Sequence, residues 1–209
     1  MEPLHSAFSG RELLSLSSIV HVGDAAYSEL VADGSPVFSH PYFSDIRGRI
    51  RTKLVQMQCE IESREPNFPF EFLQQYFPYG QCVPELRTKN MILHIGRSSA
   101  PDALPYEAKY KLRLSHNNKP ICRQLVIDMD NTPPTGFEPF YGLLVFGGRR
   151  ETFAVVQFPE PGFYGIADSI SIPRILETAN SDKETFERRK AGLKQEFLSH
   201  GLEEVVSGG

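Results

Sequence analysis

The residue types of a metal-dependent hydrolytic site occur in the middle of the chain. Glu107 and Asp128 are carboxylates, Lys109 lies two residues beyond the first of them, and Asp102 precedes the same segment. A hard divalent ion such as Mg²⁺ binds one or two carboxylates and completes its shell with water. A nearby lysine can position or activate the attacking water, while the ion offsets the charge that develops on a phosphate. The candidate catalytic residues are Glu107, Lys109 and Asp128, and the candidate metal ligands are Glu107, Asp128 and Asp102.

The meeting of Glu107 with Asp128 depends on a predicted β-hairpin. The segment YEAKYKLRLSH (106–116) alternates apolar and polar residues strictly, which is the period of a half-buried strand. Asn117-Asn118 can adopt the positive φ values of a tight turn, and ICRQLVIDMD (121–130) then returns. This register places Glu107 opposite Asp128 on the face away from the core. Like charges destabilise such a pair unless a cation lies between them.

In residue types, Pro101-Asp102 with Glu107-Ala108-Lys109 resembles the PD-(D/E)xK nuclease superfamily. The resemblance implies a divalent-metal-dependent nuclease, with Mg²⁺ as the cofactor only in that case. It covers nine residues of 209, and only four residues separate Asp102 from Glu107. The family usually uses a longer gap and a helix after the ExK strand. The alternative is a solvated polar face, on which Lys109 or Lys111 partly neutralises the carboxylates.

Two basic segments indicate a surface for an anionic partner. One lies on a helix predicted over 42–63, and the other on the predicted strand 106–116. If these two elements are adjacent, their side chains form one patch for nucleic acid. Otherwise, the basic side chains only flank the apolar stripe of the helix. The candidate nucleic-acid-binding residues are Arg47, Arg49, Arg51, Lys53, Lys111 and Arg113.

The composition favours a cytoplasmic protein with no membrane contact. The net charge of −4 gives no general reason to expect nucleic acid or an acidic membrane. Three widely spaced cysteines, without a CxxC motif, are typical of unpaired thiols in a reducing compartment. The first residues lack the features of a signal peptide, and no apolar run reaches membrane-spanning length. The aromatic segments FPFEFLQQYFPYG and FPEPGFYG could instead present anchors to a protein partner.

The hydrophobic patterns predict an α+β fold with N-terminal helices, a largely antiparallel β-sheet built from two hairpins, and a closing C-terminal helix. Residues 1–88 are the helical segment that packs on the sheet, and 89–209 hold the sheet and the last helix, within one compact domain. A helix is expected from Gly10, after the capping box Ser9-Gly-Arg-Glu12, and a second over 24–33, from Asp24 as N-cap to Gly34 as terminator. Further helices are expected over 42–63, 70–77 and 181–199. Strands are expected at 91–96, in the 106–130 hairpin, in a second hairpin around Gly147-Gly148, and at 167–173.

The leading functional hypothesis is a cytoplasmic binding or regulatory protein that acts through protein or nucleic-acid contacts, with a protein partner ahead of nucleic acid. The alternative is the divalent-metal-dependent nuclease. These hypotheses place the function in different residues, so the structure of the 42–63 and 102–128 segments bears on both.

Overall fold

The structure is a computed structural model that describes residues 8–34, 38, 40–77, 81–122, 138–148, 152–173 and 180–207. Within these residues the α-helices are Gly10–Ala32 (α1), Arg47–Ser63 (α2), Lys109–Ser115 (α3) and Asn180–Ser207 (α4), with 3-10 helices at Pro41–Phe43 and His116–Ile121. The strands are Glu71–Phe77 (β1), Gln81–Thr88 (β2), Met91–Ser98 (β3), Phe140–Gly147 (β4), Phe153–Pro159 (β5) and Ile166–Ser171 (β6). The predicted α+β class, with a mostly antiparallel sheet between N-terminal and C-terminal helices, is confirmed.

The six strands lie side by side in their order along the chain. Every neighbouring pair is antiparallel except β3 and β4, which are parallel. The parallel pair is tight at its end, because a Cβ on Gly147 would collide with the main-chain oxygen of Ser98. A parallel pair also requires a crossover between its strands. The described part of the connection between β3 and β4 carries α3 across one side of the sheet.

The two faces of the sheet pack against different elements, because side chains of a strand alternate between its faces. On the helix face, Leu93 and Phe146 share one buried cluster with Ile19 of α1 and Val55 of α2. On the opposite face, called the α3 face here, the neighbouring strand residues pack against the crossover. The members of that second cluster include Ile92, Leu143 and Val145, with Leu112 and Leu114 of α3 against them. The sheet is therefore the middle layer of the described structure.

The N-terminal helices confirm part of the predicted pattern. The capping box is present, because the Glu12 amide donates to Ser9 Oγ at 3.3 Å and the Ser9 amide donates to Glu12 Oε2 at 2.6 Å. The two short helices predicted up to residue 33 are instead the single helix α1. Asp24 does not cap a second helix, because its carboxylate binds Arg51 and Thr152. Gly34 follows the end of α1 with φ of 69°, as expected for a terminating glycine.

The C-terminal half confirms the second hairpin as β4 and β5 and the edge strand as β6. The last helix is longer than predicted, because α4 continues past Gly201 to Ser207. Its Leu193 packs with Val22 of α1 and Leu54 of α2, so α4 adds to the helix layer. None of the described helices combines the length and the apolar composition needed to cross a membrane.

Two predicted elements are wrong. The segment 70–77 is not a helix but strand β1, since its aromatic residues pair with the proline-containing β2 along a full antiparallel register. Residues 71–88 therefore belong to the sheet. The segment 106–116 is not a strand, because most of it forms α3 in the crossover that the parallel pair requires. The predicted Glu107–Asp128 register loses its basis, and residues 123–130, including Asp128, lie outside the described residues.

Candidate anion-binding cleft

The residues of the predicted nuclease site do not form a recognisable metal centre in the part of the chain that the structure describes. Glu107 is exposed before α3, and Lys109 is exposed as the first residue of that helix. Asp102 is exposed at the border of an open cavity of about 630 Å³ beside β6. No group of three or more histidine, cysteine, aspartate or glutamate residues suited to a metal occurs among the described residues. The Mg²⁺-dependent activity remains a prediction, without the hairpin that suggested it.

The two basic segments lie on opposite sides of the sheet. Helix α2 packs on the helix face, whereas α3 packs on the other. They therefore do not make one continuous strip. Arg49 and Arg113 are exposed on their own helices, and Lys53 Nζ donates to the Cys82 carbonyl at 3.1 Å.

Lys111 differs from the other predicted nucleic-acid-binding residues because it is buried. Its ammonium donates to the Tyr106 carbonyl and lies 6.0 Å from the centre of the Phe163 ring. Burial lowers the pKa of Lys111 from 10.5 to about 8, because the charged form loses its hydration. The side chain is 8% exposed, so it is not placed to contact a nucleic-acid backbone.

The low pKa of Lys111 predicts a distinct pH dependence of stability. The unfolded chain keeps the proton up to about pH 10.5, whereas the native state loses it near pH 8. Between these values the unfolded state binds more protons, so the free energy of unfolding rises with pH. Relative to Lys111→Met, the unmodified protein should gain up to about 1.4 kcal/mol per pH unit between about pH 8 and 10. Urea unfolding across this range measures the gain, with Lys109→Met as the exposed control; equal slopes for the protein and Lys111→Met would contradict it.

A polar cleft of about 440 Å³ lies where the start of α2 meets α1 and the ends of β3 and β4. Three guanidinium groups line it, and we call it the arginine cleft. Two of them, Arg47 and Arg51, come from α2, and the third, Arg97, comes from the end of β3. Two carboxylates also line it, Asp24 on α1 and Asp45 before α2. The cleft thus brings together charged residues from distant parts of the chain.

Arg51 is held in place by a network of buried polar groups. Its Nε donates to Asp24 Oδ1, and its Nη1 donates to the Gly148 carbonyl at 2.9 Å. The other carboxylate oxygen of Asp24 accepts from Thr152 Oγ1 at 2.6 Å. The Asp24 and Arg51 side chains are only 9% and 13% exposed. This arrangement balances the charge of Asp24 and fixes the Arg51 guanidinium at the wall of the cleft.

Arg47 and Arg97 have no carboxylate within ion-pair distance among the residues placed by the structure. The Arg47 Nε is buried without a hydrogen-bond partner, and its Nη2 makes only a long contact, at 3.5 Å, to the His40 carbonyl. The Arg97 guanidinium lies against the main chain of Gly48, where a Cβ would collide with it. Arg47 and Arg97 therefore form no ion pair with a described residue, although the Asp45 carboxylate lines the same cleft.

The first turn of α2 adds to the positive potential of the cleft. Ile46 occupies the N-cap position without a side-chain hydrogen bond, and the first turn contains no acidic residue. The first amides of a helix lack intrahelical acceptors and, together with the helix dipole, favour an anion. Arginines at this end are unfavourable for the helix unless negative charge is nearby. The arrangement can therefore bind a phosphate or carboxylate group by charge-assisted hydrogen bonds.

Sequence reasoning identified Arg47 and Arg51 but missed Arg97 and Asp24. The available signal for Arg97 was its place as the first charged residue after the buried run MILHIG. Asp24 resembled a helix cap, and only the packing of α1 on α2 shows that it binds Arg51.

A second buried polar cluster lies on the α3 face. His94 Nε2 is 3.1 Å from Glu85 Oε2, and both side chains are almost fully buried. Burial opposes ionisation of Glu85, yet the neighbouring His94 and the hydrogen bond from Arg87 lower the pKa of that carboxyl. His94 and Glu85 therefore form a contact inside the fold rather than at the surface.

No protein-family model, curated protein or solved structure matches this chain.

Proposed function

We propose that this protein is a binding protein that holds an anionic side chain of a protein partner in the arginine cleft. The observation that carries the proposal is the pair of guanidinium groups, Arg47 and Arg97, that lie beside the fixed Arg51 and form no ion pair with any described carboxylate. The ligand chemistry is a phosphate or carboxylate group, because both accept the forked hydrogen bonds that arginine donates.

The shape and charge of the molecule favour a protein segment over nucleic acid. Nucleic acid is bound mainly through many phosphate contacts along a basic surface. Here the net charge is −4, and α2 and α3 present their basic residues on opposite sides of the sheet. A cleft of about 440 Å³ suits a single side chain and its immediate neighbours. One acidic or phosphorylated residue of a partner meets this geometry.

The chemistry of the lining residues favours binding over catalysis. Arginine stays protonated, so it donates hydrogen bonds but moves no proton at neutral pH. The Ser28 hydroxyl donates to the Asp24 carbonyl at 2.9 Å, and the Thr152 hydroxyl donates to the Asp24 carboxylate. These hydroxyls therefore support the position of Asp24 and Arg51. The proposed role is recognition of a fixed negative charge.

Replacement of the unpaired arginines tests the proposal. Arg97→Ala and Arg47→Ala should each weaken the binding of inorganic phosphate about tenfold, because each removes a charge-assisted hydrogen-bond donor. Isothermal titration calorimetry with phosphate, and then with a phosphoserine peptide and its glutamate analogue, measures the affinities and separates the two sources of negative charge. Arg97→Ala should leave stability within about 0.5 kcal/mol, since this exposed side chain makes no ion pair in the described structure.

Arg113→Ala is the matched control, because it removes an exposed arginine from the other side of the sheet. Failure of all these probes to bind, or binding that is unchanged in both cleft variants, would overturn the proposal. Salt-dependent binding of an oligonucleotide that requires Arg49 and Lys53 but not Arg97 would instead establish a nucleic-acid surface on α2.

A further inference from the structure

Strand β1 forms an edge of the sheet and lacks the features that usually protect an edge. Native edges are blunted by proline, charged residues, bulges or a covering segment. β1 has seven residues, contains no proline and carries one charge, Glu71, at its first position. The other edge strand is protected, because Asp168 lies near its centre and its pairing is irregular at Phe158/Pro159. The β1 edge is therefore the open end of the described sheet.

The register shows which backbone groups of β1 point outward. Thr88 pairs with Met91 across a two-residue turn, and such a closing pair is hydrogen-bonded. Residues along a strand alternate in the neighbour they face, so Thr88, Leu86 and Pro84 direct their backbone groups toward β3. Pro84, which has no N–H, lies opposite Gln74 of β1. Gln74 is therefore in a non-hydrogen-bonded pair, and its own N–H and C=O point away from β2.

The same alternation directs the backbone N–H and C=O groups of Phe72 and Tyr76 away from β2, since each residue lies two positions from Gln74. These three residues are symmetric about Gln74. If a second β1 runs antiparallel with a two-fold axis at Gln74, Gln74 lies opposite itself and Phe72 lies opposite Tyr76 of the second copy. Both members of each pair then direct their backbone groups at one another, which is the condition for a regular antiparallel ladder.

The side chains are also compatible with this self-pairing. Tyr76 is 73% exposed, whereas Phe72 packs against the buried cluster of the helix face. Pairing places each Tyr76 ring beside Phe72 of the other copy, and cross-strand aromatic pairs stabilise antiparallel sheets. The single charge, Glu71, lies opposite Phe77 rather than opposite another acid. We propose that two copies of this chain associate through β1 into one continuous sheet.

Variants that place like or opposite charges at Gln74 of the two copies test the proposed pairing of Gln74 with itself. Sedimentation velocity over a range of concentrations should show a dimer of the full chain. Gln74→Lys should weaken it on the order of fivefold or more, because two ammonium groups then face each other across the axis. Gln74→Glu should have the same effect, and an equal mixture of the two variants should form a heterodimer. Ser169→Lys places the same charge on the exposed face of the other edge strand, β6, and should leave the dimer unchanged.

Gln74→Pro provides a second variant that spares the fold. Proline is tolerated on an edge strand where the N–H faces outward, so β1 should still pair with β2. The dimer should weaken about thirtyfold, since two intermolecular hydrogen bonds are lost. A monomer at every concentration, a dimer unaffected by these changes, or no recovery in the Lys/Glu mixture would overturn the proposal. A wild-type monomer in which the outward-directed amides of Phe72, Gln74 and Tyr76 are protected from hydrogen exchange would show that a segment of the same chain covers this edge.

Discussion

Replacing Arg51 with methionine is expected to lower the free energy of unfolding by about 3–5 kcal/mol. The change removes the cation that binds the buried Asp24 carboxylate and the donor that binds the Gly148 carbonyl. Only Thr152 would then remain as a partner of Asp24 in this network. An unpaired carboxylate at this burial is a large penalty, because it has lost its water and gained no counter-charge. Urea denaturation followed by circular dichroism measures the loss.

A double variant tests whether Asp24 and Arg51 contribute to stability as a coupled pair. Asp24→Asn with Arg51→Met removes both charges, and we expect it to recover much of the stability that Arg51→Met loses. Arg49→Met, which changes an exposed arginine of the same helix, should alter stability by no more than about 0.5 kcal/mol. If the losses of Asp24→Asn and Arg51→Met simply add, the two side chains do not act as a coupled pair.

Asn118→Ala is expected to destabilise the protein by roughly 3 kcal/mol. The side chain is fully buried, and its Nδ2 donates to the carbonyls of Tyr141 and Pro159, each at 2.8 Å. Its Oδ1 accepts from the Tyr141 amide at 2.9 Å. Alanine leaves these backbone groups of β4 and β5 without partners and without water. Thermal and urea unfolding should both register the change.

Asn117→Ala is the matched control for Asn118. Asn117 is half-buried and donates one side-chain hydrogen bond, to the Pro139 carbonyl at 2.9 Å, so its loss should be about 1 kcal/mol. Asn118→Asp should be at least as harmful as Asn118→Ala at neutral pH, because a carboxylate would face two carbonyl oxygens. Similar losses of stability for Asn117→Ala and Asn118→Ala would show that the three buried hydrogen bonds of Asn118 do not cause the destabilisation.

The predictions that succeeded rest on local signals. The capping box at Ser9, the apolar stripe of α2 and the apolar runs of β4 and β5 each determine structure within a few residues. The prediction for 106–116 failed although the segment alternates strictly, because 109–115 forms a helix that buries Lys111 and Ser115 and packs Leu112 and Leu114 only partly against the sheet. The choice between the two is made by the parallel pairing of β3 with β4, which no local pattern reveals. The same pattern predicts Asn118 as a turn residue, whereas it binds the backbone of two strands.

The arginine cleft could be predicted only in part for a similar reason. Arg47 and Arg51 attract attention because they are neighbours in a basic helix. Arg97 becomes relevant only when β3 ends beside α2, and Asp24 only when α1 crosses the same helix. A site assembled from single residues of separate elements leaves no spacing that a sequence motif could describe.

Gly147 helps to fix the alignment of β4 with β3. β4 is apolar on both faces, so its hydrophobic pattern distinguishes poorly between one alignment with β3 and the next. In the native alignment, the residue beside the Ser98 oxygen is Gly147, which has no side chain. A shift of two residues would preserve the faces but would bring Val145 to that oxygen. Gly147 therefore disfavours, on steric grounds, an alignment of β3 with β4 that is shifted by two residues. Hydrophobicity alone would permit that alignment.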